Sequence, residues 1–163
     1  MLERIAEEYA RKYHKGQYRK DGTTPYITHP TNVVNLLKEH GFDDGKTLTS
    51  GWLHDALEDT DLKYNEIRRV FGKEVAEGIR ILTRNVDREA YKRRLSSAPI
   101  NVRLIKLCDT LDNIRTLNEL NSEEIERKVK DCETYYITLA SEICPPIAVE
   151  MEKIISNYLV RAK

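Results

Sequence analysis

The residues suited to metal chemistry are few, and they sit in apolar helical sequence. The chain has four histidines, His14, His29, His40 and His54. His54 is followed directly by Asp55 within WLHDALED (52–59), where Trp52, Leu53, Ala56 and Leu57 are apolar. An imidazole and a carboxylate side by side on such a segment are costly to bury unless something satisfies them. A divalent cation does so, through imidazole nitrogen and carboxylate oxygen. One turn further lie Glu58 and Asp59, and a helix over about 44–58 puts Glu58 on the face of His54 and Asp55. A second polar series, Lys106, Asp109, Asn113 and Thr116, steps by three, four and three residues opposite a leucine-rich face. That helix is apolar enough to be central, so Asp109 is expected to point into a polar pocket.

Each feature alone has an ordinary structural explanation. An isolated His–Asp pair is more often structural than catalytic, and a polar stripe is usually a solvated face. Their order adds the information: a His, then HD 25 residues on, then an Asp 54 residues later on a separate helix. His14 is expected to order its loop. His40 is expected at a helix C-terminus, where partial positive charge is favoured. Cys108, Cys132 and Cys144 are odd in number and lack CxxC spacing, so they read as buried, reduced thiols.

The elements that must position these groups read as helices throughout. Leu2, Ile5, Ala6, Tyr9, Ala10 and Tyr13 recur at three- and four-residue steps, the mark of an amphipathic helix. HKGQYRKDGTTPYITHP (14–30) is a loop punctuated by Gly16, Gly22, Pro25 and Pro30. Pro30 suits a first helical turn, and that helix stops near Gly41. After the 44–58 helix, a short one near 63–71 ends at Phe71-Gly72 and another runs over about 73–83. DREAYKRRLSSA (87–98) is either a weak helix or an ordered loop. Pro99 opens a long helix to about 119, Asn121 or Ser122 caps the next, and Pro145-Pro146 breaks it before a last helix. The expected fold is all-α: a single helical domain over 1–163, with a motif-bearing core at about 8–120 and helical packing from 121 onward.

Composition agrees with that reading. One domain is the default for 163 residues. The charge balance is 27 basic against 27 acidic residues, net zero, which argues against a dedicated nucleic-acid binder. A hydrophobic share of 40% is too high for a disordered chain. No apolar run approaches the roughly 18 residues of a membrane helix. The charged start, MLERIAEEYARKY, has no apolar signal core, so a cytoplasmic location is expected.

The order H…HD…D resembles the HD superfamily of metal-dependent phosphohydrolases. Carried over residue by residue, the resemblance implies His29, His54, Asp55 and Asp109 as ligands of one divalent metal, Mn²⁺. The likeness extends to the hydrolase domains of the RelA/SpoT type. HKGQYRKDGTTPYITHP resembles their H-x-G-Q-x-R-x-x-G-x-P-Y-I-x-H-P, and HDALEDT (54–60) their H-D-x-x-E-D-T. VFGKEVAEGI (70–79) resembles their F-G helix boundary, and KLCDTLDNIRTL (106–117) their K-L-A-D-R-L-x-N-x-R-T-L. Two positions depart from that pattern, Thr110 after the metal Asp and Asp112 before the Asn.

This resemblance implies a small, hydrolase-only enzyme similar to the metazoan SpoT homologue type, its HD domain all-α. The implied reaction removes the 3′-pyrophosphate of ppGpp or pppGpp, giving GDP or GTP. Glu58 would accept a proton, and Asp59 would position water or substrate. Arg19 and Lys20 would contact the nucleotide, and Asn113 its ribose or phosphates. Thr110 and Asp112 keep other substrates open: ppApp, a deoxynucleotide or a 3′-pyrophosphorylated nucleic acid. A metal-bound, inactive nucleotide-sensing module is a further alternative, against which the Glu58-Asp59 pair argues.

Overall fold

The computed structural model describes residues 1–161, and among them helices are the only extended elements. Among the described residues the one β feature is an isolated bridge between Tyr18 and Pro25. The chain forms two compact units, one of Met1–Lys106 and one beginning at Leu107.

The first unit holds α1 (Leu2–Tyr13), α2 (Thr28–Glu39), α3 (Gly45–Leu53), α4 (Ala56–Asp59), α5 (Tyr64–Phe71), α6 (Lys73–Leu82) and α7 (Arg88–Ser96). α3 is its centre and packs on α1, α2 and α6. Its residues 47–53 are all buried. Asp44 starts it by accepting from the amides of Lys46 and Thr47 at 3.2 and 3.0 Å, which satisfies two of the helix's unpaired donors. The α1 stripe that the sequence predicts faces inward through Ala6 and Ala10. Tyr9 then meets Phe71 edge-on at 5.2 Å, tying α1 to α5. Gly72, with φ of 90°, ends α5 in a conformation that side chains with a Cβ rarely adopt. The polar 87–98 segment is helical, started by Asp87 accepting from the Ala90 amide at 2.9 Å.

Gly51, in the last turn of α3, is closely packed against α2. A Cβ on Gly51 would lie 2.9 Å from Leu37 Cδ1 and 3.2 Å from Val34 Cγ2, both on buried α2 side chains. Overpacking costs about 1–3 kcal/mol, against which Ala returns about 1 kcal/mol of helix propensity. Gly51→Ala is therefore expected to lower the urea unfolding midpoint; an unchanged or raised midpoint would mean that Leu37 simply rotates away.

α8 (Ile100–Arg115) carries the boundary between the units. The second unit continues through a 3₁₀ turn (Leu117–Glu119), α9 (Ser122–Asp131), a π-helical turn (Cys132–Tyr136), α10 (Ile137–Ile143) and α11 (Pro145–Arg161). Of the two caps that the sequence allows, Asn121 is used, accepting from the Glu124 amide at 2.9 Å. The prolines stand at the start of α11 and so end α10 before it. Val129, Cys132, Leu139, Ala140, Ile147, Met151 and Ile155 are buried within this unit. All three cysteines are buried and unbridged, as their spacing suggested, and burial pushes the Cys132 thiol up to about 12. No described helix is long and apolar enough to cross a membrane.

Candidate functional site

The predicted 44–58 helix is interrupted exclusively at the motif. α3 ends at Leu53, the chain turns through His54 and Asp55, and α4 restarts at Ala56. His54 Nδ1 lies 2.8 Å from the Gly51 carbonyl. A carbonyl only accepts, so Nδ1 carries the proton and caps an acceptor of the last turn. In the neutral ring Nε2 then bears a lone pair. That atom sits 3.2 Å from His29 Nε2 and 3.1 Å from Asp55 Oδ2, while His29 Nε2 is 3.4 Å from the same Oδ2. His29 and His54 are both buried. Two imidazole nitrogens and a carboxylate oxygen thus converge to within 3.4 Å of one another. The donor set suits a divalent metal.

Asp109 belongs to the second unit. Every residue of α8 from Leu107 to Asp112 is buried, so this part of the helix has no solvated face. The Asp109 carboxylate accepts from Asn113 Nδ2 at 2.5 Å, one turn along. The amide that the resemblance offers to the substrate thus also orients the Asp. Thr110 and Asp112, where the chain departs from the family pattern, are buried as well.

The break at residues 54–55 removes the continuous-helix argument for Glu58. Its carboxylate accepts from the Arg84 amide at 2.7 Å, which ties the α6–α7 loop to α4. Asp59 stays near the ligands through Tyr26, whose hydroxyl donates to Asp55 Oδ2 at 2.5 Å and lies 3.3 Å from Asp59 Oδ2. Withdrawal from water, and then the charge of Asp55, push the Asp59 carboxyl above the usual range.

The 14–27 loop folds back on itself. Arg19 N–H donates to the Thr24 carbonyl at 2.8 Å, and Tyr26 N–H to that of Gln17 at 2.9 Å. Asp21 pins the tip by accepting from the Thr24 hydroxyl at 2.5 Å and from the amides of Thr23 and Thr24 at 2.8 Å each. These bonds hold its carboxyl at about 2. Arg19, half-buried, and Lys20, exposed, enter this tip. Gln17 Nε2 donates to the Asp59 carbonyl at 2.8 Å, which leaves Oε1 to accept from His14 Nδ1 at 2.7 Å. His14 is buried, and that burial lowers its pKa. It orders the loop, as expected. His40 follows the end of α2, also as expected.

Sequence reasoning missed Tyr26. Its only local signal is its position three residues before His29, within PYITHP.

Comparison with known proteins adds the following. A guanosine-3′,5′-bis(diphosphate) 3′-pyrophosphohydrolase of Aquifex aeolicus is 37% identical over 147 residues, covering 85% of this chain and 21% of the relative. A GTP pyrophosphokinase of Streptomyces coelicolor is 37% identical over 148 residues, covering 85% of this chain and 17% of the relative. The chain thus spans about a fifth of the length of these curated relatives. A solved structure, described as a metazoan ortholog of SpoT that hydrolyses ppGpp and plays a role in starvation responses, superposes with a TM-score of 0.84 at 25% identity. It covers 96% of this chain and 95% of that one. The family model described as HD domain matches residues 6–143, and the chain belongs to the HD domain family.

Proposed function

We propose that this protein is a metal-dependent hydrolase that removes the 3′-pyrophosphate of guanosine polyphosphates. In that reaction water attacks the phosphorus bonded to the ribose 3′ oxygen, the 3′ O–P bond breaks and the 3′ oxygen takes a proton, so that ppGpp or pppGpp yields GDP or GTP plus pyrophosphate. The observation that carries the reading is the convergence of His29 Nε2, His54 Nε2 and Asp55 Oδ2 to within 3.4 Å of one another. The names of the Aquifex relative and the metazoan structure support the substrate. The family match over residues 6–143 supports one HD domain across 1–163. The net charge of zero favours a small nucleotide over nucleic acid as the partner.

His29, His54 and Asp55 hold the cation, with Asp109 as the fourth ligand by the order of the motif. Mn²⁺ held there would supply Lewis acidity toward a phosphoryl oxygen and make a bound water more acidic. The remaining roles fall to side chains. Glu58 accepts the proton of the attacking water. Asp59, close to Asp55 and with a raised pKa, positions that water or the substrate. Asn113 hydrogen-bonds the ribose or phosphates besides orienting Asp109. Arg19 stacks on the purine, and Lys20 meets the sugar-phosphate edge.

The test is turnover of ppGpp and ppApp by purified protein with Mn²⁺, read by chromatography. Release of GDP and pyrophosphate from ppGpp supports the assignment. Cleavage of ppApp alone would move it to an adenosine substrate, and cleavage of neither would overturn the alarmone assignment.

Arg19→Ala is expected to raise KM much more than it lowers kcat, because a remote contact contributes alike in ground and transition states. The loss is about 1–3 kcal/mol, the range for charge-assisted contacts. Discrimination between guanosine and adenosine forms should erode with it. Wild-type KM for both forms would make the loop tip a solvated surface.

A further inference from the structure

We propose that Tyr26 is a positioning residue for Asp55, and that its hydroxyl sets how tightly the site holds its metal; this rests on the metal reading above. A phenol has one proton to donate. At 2.5 Å from Asp55 Oδ2 and 3.3 Å from Asp59 Oδ2, that proton belongs to Asp55. The distance is that of a charge-assisted O–H···O⁻ bond. The oxygen it binds is the same one that faces His29 Nε2 and His54 Nε2. One lone pair of Oδ2 is thereby occupied, and the rotation of the carboxylate is fixed with its other electron pairs toward the two imidazoles. Asp59 lies close enough to repel Asp55, so a donor between the two carboxylates also offsets that repulsion.

The phenol is itself held from three sides. Its ring stacks on His14 with centroids 4.7 Å apart and planes at 26°, and it meets His29 edge-on at 5.8 Å. Its backbone amide donates to Gln17, and its carbonyl accepts from the His29 amide, each at 2.9 Å. Gln17 in turn donates to the Asp59 carbonyl. The loop therefore closes a circuit from His14 through Gln17 to the Asp55–Asp59 turn, and from Tyr26 back to the same turn. This gives the 14–27 loop a function at the metal that is separate from the nucleotide contacts of Arg19 and Lys20. Partners that orient a ligating carboxylate typically change metal affinity by roughly 10–100-fold when removed.

Tyr26→Phe tests this, since it deletes one oxygen and leaves the ring between His14 and His29. Mn²⁺ dissociation constants of the full chain, wild type and variant, are measured by competition with a chelator, alongside thermal unfolding of both without metal. The expected result is a Kd weaker by roughly 10–100-fold, with the variant still unfolding cooperatively without metal. In the presence of saturating Mn²⁺ the variant should regain most of its turnover, with the nucleotide KM unchanged. A Kd within about twofold of wild type would overturn the inference and leave the metal reading intact. Failure of the wild type itself to bind Mn²⁺ would overturn both. If Tyr26→Phe unfolds without metal, His14→Phe keeps the stack while freeing Gln17. It should weaken Mn²⁺ in the same direction, and an unchanged Kd there would refute the circuit.

Discussion

Asp109→Ala should take the metal from one per chain to a small fraction of that, and turnover should fall with it. Asp109 is buried on α8 and accepts a 2.5 Å bond from Asn113. Its removal strands that amide donor, a cost of about 1–3 kcal/mol for a buried unsatisfied group. It also removes a buried carboxylate, whose isolation from water is itself unfavourable. The two effects oppose each other, so the metal-free variant should stay folded and helical by circular dichroism. Loss of metal would then reflect the missing ligand rather than collapse of the helix. Metal analysis of wild type and variant purified side by side is the measurement. Equal metal in the two would remove Asp109 from the site and leave three ligands, all in the first unit.

Glu58→Gln should leave fold and metal in place and cost about 10²-fold or more in kcat, as loss of a general acid–base group does. The structure makes this substitution informative, because Glu58 has a competing structural occupation. Its carboxylate accepts the Arg84 amide at 2.7 Å and so anchors the α6–α7 loop. A glutamine can accept that same hydrogen bond through its amide oxygen while having no usable basicity. The anchoring survives and the proton acceptor does not. A variant that retained most of its kcat would therefore show Glu58 to be the loop's anchor and nothing more. Single-turnover kinetics with metal saturating separates this from any change in product release.

What the sequence determined by itself is what depends on neighbours within a turn or so. Three- and four-residue periodicity announced helices, and the observed elements are helices. Gly72 and the two prolines at 145–146 stop helices because their own backbones demand it. Asn121 caps α9 with its own side chain. The metal-suited residue types and their order were equally visible, since the chain has only four histidines and one of them is followed directly by Asp55. Only the tertiary structure decided the rest. Periodicity cannot distinguish one helix over 44–58 from α3 and α4 separated by a turn, because both present similar spacings. The break arises where the His54 ring takes up the Gly51 carbonyl. Glu58 finds its partner 26 residues away at Arg84, and Asp55 finds Tyr26 at a separation of 29. Such contacts have no signature in local propensity. They exist because packing of α1, α2 and α6 around α3 brings distant loops to the same turn, and only there can a phenol hydroxyl meet two carboxylates.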